Sequence, residues 1–135
     1  MDKALNYMAL ARKAGRIELG EEPVGAAARA VHARLVVVAG DASDHTWRRA
    51  KSFVAGTGQQ CLRVDYSKDE MGMAVGRTSL AIAAFTDPAL ALAFVKALPK
   101  PQTDVLAALE NSTRRAQQRQ KEAKAHLKNV KKGKK

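Results

Sequence analysis

The chain contains an unbroken apolar run, Leu35–Ala39, in which three consecutive residues are valines. β-Branched residues favour strands, and a strand without polar alternation has no face suited to water. Both faces of such a strand must be covered by other elements. The run therefore predicts a strand buried on both faces, as in a sheet with helices on both sides.

Helical and extended segments alternate along the first 98 residues. A strand at Cys61–Val64 follows the run Leu35–Ala39 after one helix, and this strand–helix–strand unit predicts a parallel pair. A further buried strand is expected at Leu80–Phe85. Helices are predicted around Leu5 to Arg12, after Gly20, around Trp47 to Val54, after Ser67 and after Asp87. The alternation predicts an α/β fold, a three-layer α/β/α sandwich with a mixed sheet of about four strands.

Local signals indicate where these helices begin and end. Gly15 is placed to stop the first helix, and Ser67 and Glu70 have the spacing of a capping box. In the segment after Gly20, two acids and Pro23 suit the first turn of a helix. The predicted core face of this second helix consists of Val24, Ala27, Ala28 and Val31.

Basic charge is concentrated towards the end of the chain. The 135 residues carry a formal net charge of +11, of which residues 1–98 contribute +3 and residues 99–135 contribute +8. Pro99 and Pro101 disfavour helix and separate the two parts. We expect one folded domain at residues 1–98 and a basic C-terminal extension at residues 99–135, helical or disordered.

The extension itself divides into an apolar start and a basic remainder. A helix is predicted from Thr103 to about Leu127, and its first turns could dock on the domain through Val105, Leu106 and Leu109. From Arg114 onward the chain has ten Lys or Arg residues and a single acid. Such a segment cannot bury a core of its own. We favour contact with a polyanion over a tail that is merely solvated.

The sequence offers little for catalysis or cofactor binding. Its three histidines are scattered and no nucleotide-binding glycine pattern is present, so neither a metal site nor a cofactor is expected. Cys61 lies in an apolar strand and is predicted to be a core residue. The pairs Glu21-Glu22 and Asp69-Glu70 lie at predicted helix starts, where capping explains them. With no transmembrane span or secretion signal predicted, we expect a cytoplasmic protein that is not an enzyme.

Five sequence blocks match a known family in the same order. They are Ala9–Arg16, Gly20–Glu22, Leu35–Ser43, Met71–Arg77 and Phe85–Asp87. Through these blocks the chain resembles the bacterial YlxQ-type branch of the ribosomal-protein superfamily that includes the archaeal and eukaryotic proteins L-seven-Ae and L-thirty-e. The resemblance covers residues 1–98 and leaves the basic extension outside.

The resemblance implies an α/β/α domain that binds structured RNA, typically the kink-turn, a sharp bend with tandem sheared G·A pairs. In that family, the helix start after a glycine meets phosphates and purine edges, and a second loop covers the splayed nucleotides. The matching positions are Gly20, Glu21 and Glu22 at the helix start, and Arg77, Thr78 and Ser79 in the loop. The resemblance also implies that Lys13 and Arg16 meet the RNA backbone.

The chain differs from the kink-turn pattern Gly-x-Asn-Glu-x-x-Lys. Counting from Gly20, the positions of Asn, Glu and Lys are occupied by Glu22, Pro23 and Ala26. The Gly-Glu-Glu form is usual for the YlxQ-type branch. It therefore fits the resemblance and leaves the RNA target open.

These observations lead to one hypothesis with two alternatives. The first is a monomeric, non-catalytic RNA-binding protein of a ribonucleoprotein, acting on ribosomal RNA or at the ribosome. The basic extension would strengthen its binding to phosphates through Arg114, Arg115, Arg119, Lys131 and Lys132. The alternative is a protein-interaction adaptor on the same scaffold, with a tail that binds polyanions without specificity. A small enzyme is the weakest of the three.

Overall fold

Strands and helices alternate along the chain. The computed structural model describes residues 2–133, with side chains for all of them except 116 and 126–133. The helices in this part are α1 (Lys3–Lys13), α2 (Glu21–Arg29), α3 (Asp44–Val54), α4 (Lys68–Ala74), α5 (Pro88–Ala97) and α6 (Thr103–Gly133). The strands there are β1 (Ile17–Leu19), β2 (Leu35–Val38), β3 (Gln60–Arg63) and β4 (Ile82–Phe85).

The strands form one mixed sheet in the order β1-β4-β2-β3. Strand β2 pairs in parallel with β3, where Val37 is opposite Leu62, and antiparallel with β4, where Val37 is opposite Ala83. Strand β1 pairs antiparallel with the other side of β4. All four residues of β2 are buried. The predicted parallel pair and the two buried strands are confirmed.

Helices cover both faces of this sheet. Helices α2 and α3 pack on each other and on the strands in one layer, and α1, α4 and α5 form the other. Phe85 of β4 and Phe94 of α5 are both fully buried, with their ring centroids 5.0 Å apart. Most of the remaining core consists of Ala, Val and Leu side chains. The predicted three-layer α/β/α sandwich is confirmed.

Most of the helix starts are capped by side chains. The predicted capping box is present, because the Ser67 hydroxyl accepts from the Glu70 N–H and the Glu70 carboxylate accepts from the Ser67 N–H, both at 3.0 Å. Asp2 and Asp87 cap α1 and α5. Helix α2 differs, since its N-cap is Gly20 and no side chain caps it. Its first-turn N–H groups therefore lack the partner that a capping side chain provides.

Helices α1, α2 and α4 end in the same hydrogen-bonded motif. In α1, Gly15 donates to Arg12 and Arg16 donates to Ala11, which is the pair of bonds of a Schellman motif. This motif needs one residue in the left-handed conformation, and glycine takes that place in α1 and in α4, at Gly76. In α2 the same place is taken by Val31, with φ 57°.

The prediction that Val31 faces the core is wrong, because its side chain is 51% exposed. Helix α2 ends at Arg29 and the chain then reverses direction. The helical period that buries Val24 and Ala28 does not continue through that reversal. Ala27, on the same predicted face, is partly buried against the core.

The first turns of α6 pack on the rest of the molecule. Leu109 is buried, and Val105 and Leu106 are partly buried against the core, as predicted. Helix α6 contacts α5 and β3 and runs to Gly133, beyond the predicted end near Leu127. Although α6 is long, no helix within residues 2–133 is both long and apolar enough to cross a membrane.

Candidate nucleic-acid interface

The start of α2 is the first feature of the candidate site. Gly20 has φ 96° and ψ 162°, a conformation available essentially to glycine alone. Its N–H donates to Ile82 of β4 at 3.0 Å, which fixes the start of the helix at the edge of the sheet. Pro23 has no N–H, so the amides of Glu21 and Glu22 are the donors that the first turn presents. Such amides and the positive end of the helix dipole suit an anion.

The structure brings Arg77 next to this helix start. A Cβ atom added to Gly20 would lie 3.9 Å from Nη1 of Arg77 and 3.8 Å from Cδ of Pro23. Arg77 is exposed. An exposed guanidinium that forms no salt bridge with a described side chain therefore lies beside the open amides of α2, although the two segments are far apart in the sequence.

The loop that carries Arg77, Thr78 and Ser79 is held firmly against α4. A Cβ atom on Gly72 would lie 2.8 Å from the backbone N of Ser79 and 2.9 Å from the carbonyl oxygen of Arg77. The Arg77 N–H donates to Gly72 at 2.8 Å, and the Leu80 N–H donates to Lys68 at 2.9 Å. All three loop residues are exposed. The backbone of the loop is fixed while its side chains remain accessible.

We call these residues the cap site: Gly20, Glu21, Glu22, Arg77, Thr78 and Ser79. Within it, the two glutamates differ. The Glu21 carboxylate accepts from Nε of Arg49 at 2.6 Å, and the Arg49 guanidinium lies 5.2 Å from the centroid of the Phe53 ring. Glu22 is exposed and forms no salt bridge with any side chain that the structure describes.

Arg49 was not predicted as a site residue from the sequence. It belongs to α3, and it reaches Glu21 because α2 and α3 pack closely at Gly25, where an added Cβ would lie 3.1 Å from the Phe53 ring. The sequence signal that could have indicated this contact is Gly25 itself, a helical glycine that permits close packing. No local pattern around Arg49 identifies its partner.

A groove of about 520 Å³ runs beside α2. This α2 groove is lined by Arg16, Glu18, Pro23, Ala26, Ala27, Ala30, His32, Arg34 and Thr86. Strand β1 separates Arg16 from Gly20 by about 13 Å at the usual rise of extended chain. Arg16 therefore lies at the far end of the groove from the cap site. Lys13 is exposed in the last turn of α1 and is not part of the groove wall.

A second groove, of about 310 Å³, lies between α6 and the turns that precede β2 and β3. This α6 groove is lined by Val31, Ala33, Arg34, Thr57, Gly58, Gln59, Ala108, Asn111, Ser112 and Arg115. The predicted tail residues Arg114, Arg115 and Arg119 are all exposed on α6. Arg115 is the one of these three that lines the groove. The side chains of Lys131 and Lys132 lie outside the described residues.

Cys61 is partly buried and has the properties of a residue at the edge of the core. Cys61 packs against the core from β3, and burial raises the pKa of its thiol to about 12. A thiol with that pKa is protonated at neutral pH and is a poor nucleophile. It takes no part in either groove.

Comparison with solved structures places this fold among known ones. A Bacillus halodurans protein of unknown function superposes with a TM-score of 0.68 at 21% identity, covering 74% of this chain and 100% of that chain. The Giardia lamblia 15.5kD RNA binding protein superposes with a TM-score of 0.60 at 17% identity, covering 81% of this chain and 86% of that chain. No protein-family model and no curated protein matches the sequence. The likeness therefore concerns the fold.

Proposed function

We propose that this protein binds structured RNA of the kink-turn type through the cap site and has no catalytic activity. It would act as a ribosomal or ribosome-associated protein in the cytoplasm. The observation that carries the proposal is the juxtaposition of Arg77 with the uncapped N-terminus of α2 at Gly20. The Giardia lamblia RNA binding protein, which shares the fold, supports the choice of RNA as ligand.

The chemistry of the cap site suits a bent RNA. The amides of α2 and the Arg77 guanidinium are donors for phosphate oxygens. The free Glu22 carboxylate is an acceptor for exocyclic amino groups at the edges of bases. A regular A-form helix hides the major-groove edges of its bases in a deep, narrow groove, whereas a bend or a non-canonical pair exposes them. A site with both kinds of group is therefore selective for distorted RNA.

The test compares two RNAs on the full-length protein. One is a kink-turn, and the other is the same duplex with its G·A pairs changed to Watson–Crick pairs. We expect the protein to bind the kink-turn more tightly at every salt concentration of a series. Arg77→Ala and Glu22→Gln are each expected to weaken binding to the kink-turn by about tenfold. Their effect on the straight duplex should be smaller.

The matched control is Lys96→Ala. Lys96 is an exposed cation of α5, in the layer opposite to α2. Its removal changes the net charge as Arg77→Ala does but leaves the cap site intact. Equal binding of the two RNAs by the unaltered protein would contradict the proposal and favour the adaptor hypothesis, in which the cap site meets a protein.

A further inference from the structure

We propose that the RNA chain bound at the cap site continues past Arg34 onto one face of α6, so that the α6 groove is a second phosphate-binding site for the same RNA. This inference rests on the proposed function. It assigns a defined contact with RNA phosphates to one face of α6. Composition alone indicates only a general attraction between a basic tail and polyanions.

Arg34 connects the two grooves. This residue lines both, and its backbone N–H donates to Phe85 at 2.7 Å, which holds it just before β2. The Nε atom of its guanidinium is buried and has no hydrogen-bond partner among the described residues. Arg34 also forms no salt bridge within the described side chains. Its charge is therefore not neutralised by any described side chain, and the residue forms part of the walls of both grooves.

The lining of the α6 groove is suited to a phosphate. Its cations are Arg34 and Arg115, and Thr57, Asn111 and Ser112 add neutral polar groups. No acidic side chain is among the described residues of this groove. The wall is preformed, because the Gln59 amide donates to Ala28 at 3.1 Å and accepts from the Ala33 N–H at 2.9 Å. Cations and neutral donors without a carboxylate are the groups that contact a phosphodiester backbone.

The grooves also give a path between the two sites. Pro23, whose Cδ lies next to the Gly20 position, begins the wall of the α2 groove, and Arg34 stands at the junction with the α6 groove. Arg16 contributes a further cation to this path, while Glu18 is its one described acid. An RNA strand leaving the cap site along α2 would reach Arg34 and then Arg115.

Two adjacent arginines of α6 provide an internal comparison. Arg115 lines the groove, whereas Arg114 does not, and Nη2 of Arg114 donates to Oδ1 of Asn111 at 2.5 Å. Both are exposed, and each contributes one positive charge at nearly the same place in the sequence. Arg119 follows Arg115 by four residues and so lies on the same helical face. A non-specific tail would use all three equally.

The experiment compares Arg115→Gln with Arg114→Gln in the full-length protein, using the kink-turn and the straight duplex over a salt series. We expect Arg115→Gln to reduce the slope of log K against log salt by about 0.9 and to weaken binding about eightfold at 0.1 M salt. Arg114→Gln should change the slope by much less. Arg115→Lys, which keeps the charge, should restore most of the slope.

A second experiment monitors Arg34 by NMR in the unaltered protein. The NMR signal of its Nε–H group should shift on addition of the kink-turn RNA to the full-length protein. Polyglutamate is the probe for an acidic protein partner, and we expect it to compete weakly for the groove. Equal slopes for the Arg115 and Arg114 variants, an unchanged Arg34 signal, or competition by polyglutamate that depends on Arg115 would each overturn this inference.

Different results contradict this inference and the proposed function. The proposed function is contradicted when the unaltered protein does not distinguish the kink-turn from the straight duplex. The comparison of Arg115 with Arg114 concerns phosphates and can be made on either RNA.

Discussion

The two ends of α2 both contain a residue with positive φ, but the residue type differs. At the start, glycine takes the unusual conformation, with Gly20 at φ 96°. At the end, Val31 takes a left-handed conformation at φ 57°, where α1 and α4 use Gly15 and Gly76. The difference teaches that the start of α2 leaves its amides open without backbone strain, because glycine tolerates the conformation there. At its end, the backbone of Val31 is strained and its exposed side chain lines the α6 groove.

The largest effect is expected at Gly72, which supports the loop beside the start of α2. Gly72→Ala places a Cβ atom 2.8 Å from the backbone of Ser79, and backbone cannot move aside as a side chain can. We expect the free energy of unfolding to fall by about 3 kcal/mol, as for severe overpacking. Urea denaturation measures this change.

The matched control for Gly72→Ala is Gly25→Ala, also within a helix. The added methyl group there meets the end of the Phe53 ring at 3.1 Å, and this side chain can adjust. We expect a much smaller loss of stability. Similar losses for the two variants would show that the loop of Arg77 is not fixed by its packing on α4.

The next effect concerns Gly20 itself. Gly20→Ala forces a side chain into a conformation that is essentially restricted to glycine, and we expect it to lower the free energy of unfolding by about 2 kcal/mol. Gly15→Ala is the comparison, because Gly15 at φ 68° lies in the left-handed region and has open space around it. Its cost should be about 1 kcal/mol. Thermal and urea unfolding measure both variants. Equal losses in the free energy of unfolding would mean that the backbone at the start of α2 relaxes to accept the new side chain.

At the C-terminal end of α2, a substitution is expected to stabilise the protein. Val31→Gly removes a β-branched residue from the left-handed position of a Schellman motif, and we expect it to raise the free energy of unfolding by about 1 kcal/mol. Gly15→Val, the opposite change in the same motif of α1, should lower it by a similar or larger amount. A loss of stability in Val31→Gly would mean that the exposed valine makes a contact that outweighs its backbone strain.

The sequence predicted the fold because its signals are local. The apolar run of β2 has no polar alternation, and the capping box needs only Ser67 and Glu70, three residues apart. The error at Val31 has the opposite cause, since helical periodicity does not indicate where the helix ends. A valine at a place usually held by glycine gave no sign that the chain reverses there.

The site was only partly predictable for the same reason. Gly20 and Arg77 could be named from a resemblance, but their proximity follows from the packing of α4 and the edge of the sheet. The contact of Arg49 with Glu21 and the place of Arg34 between two grooves depend on tertiary structure alone. At both places, charged side chains from separate elements lie close together, and no sequence pattern links the elements that carry them.

The smallest effect on stability is expected for the ion pair at the start of α2. The side chains of Arg49 and Glu21 are 50% and 43% exposed, so solvent screens their attraction. Glu21→Gln should therefore change the free energy of unfolding by less than about 0.5 kcal/mol. It also leaves the charge of the Arg49 guanidinium without a neutralising carboxylate beside the cap site. We expect tighter binding to both RNAs and a salt slope steeper by up to about 0.9.

Glu22→Gln is the matched change, since it removes an adjacent carboxylate that has no ion-pair partner among the described side chains. It also raises the net charge by one, yet it should weaken the preference for the kink-turn, because glutamine replaces one of the two acceptor oxygens by an NH₂ donor and the remaining oxygen is an uncharged, weaker acceptor for base amino groups. The two variants thus separate charge from recognition at the open end of α2. If both glutamine variants strengthened binding to the two RNAs equally, Glu22 would act through charge alone, and the start of α2 would not recognise bases.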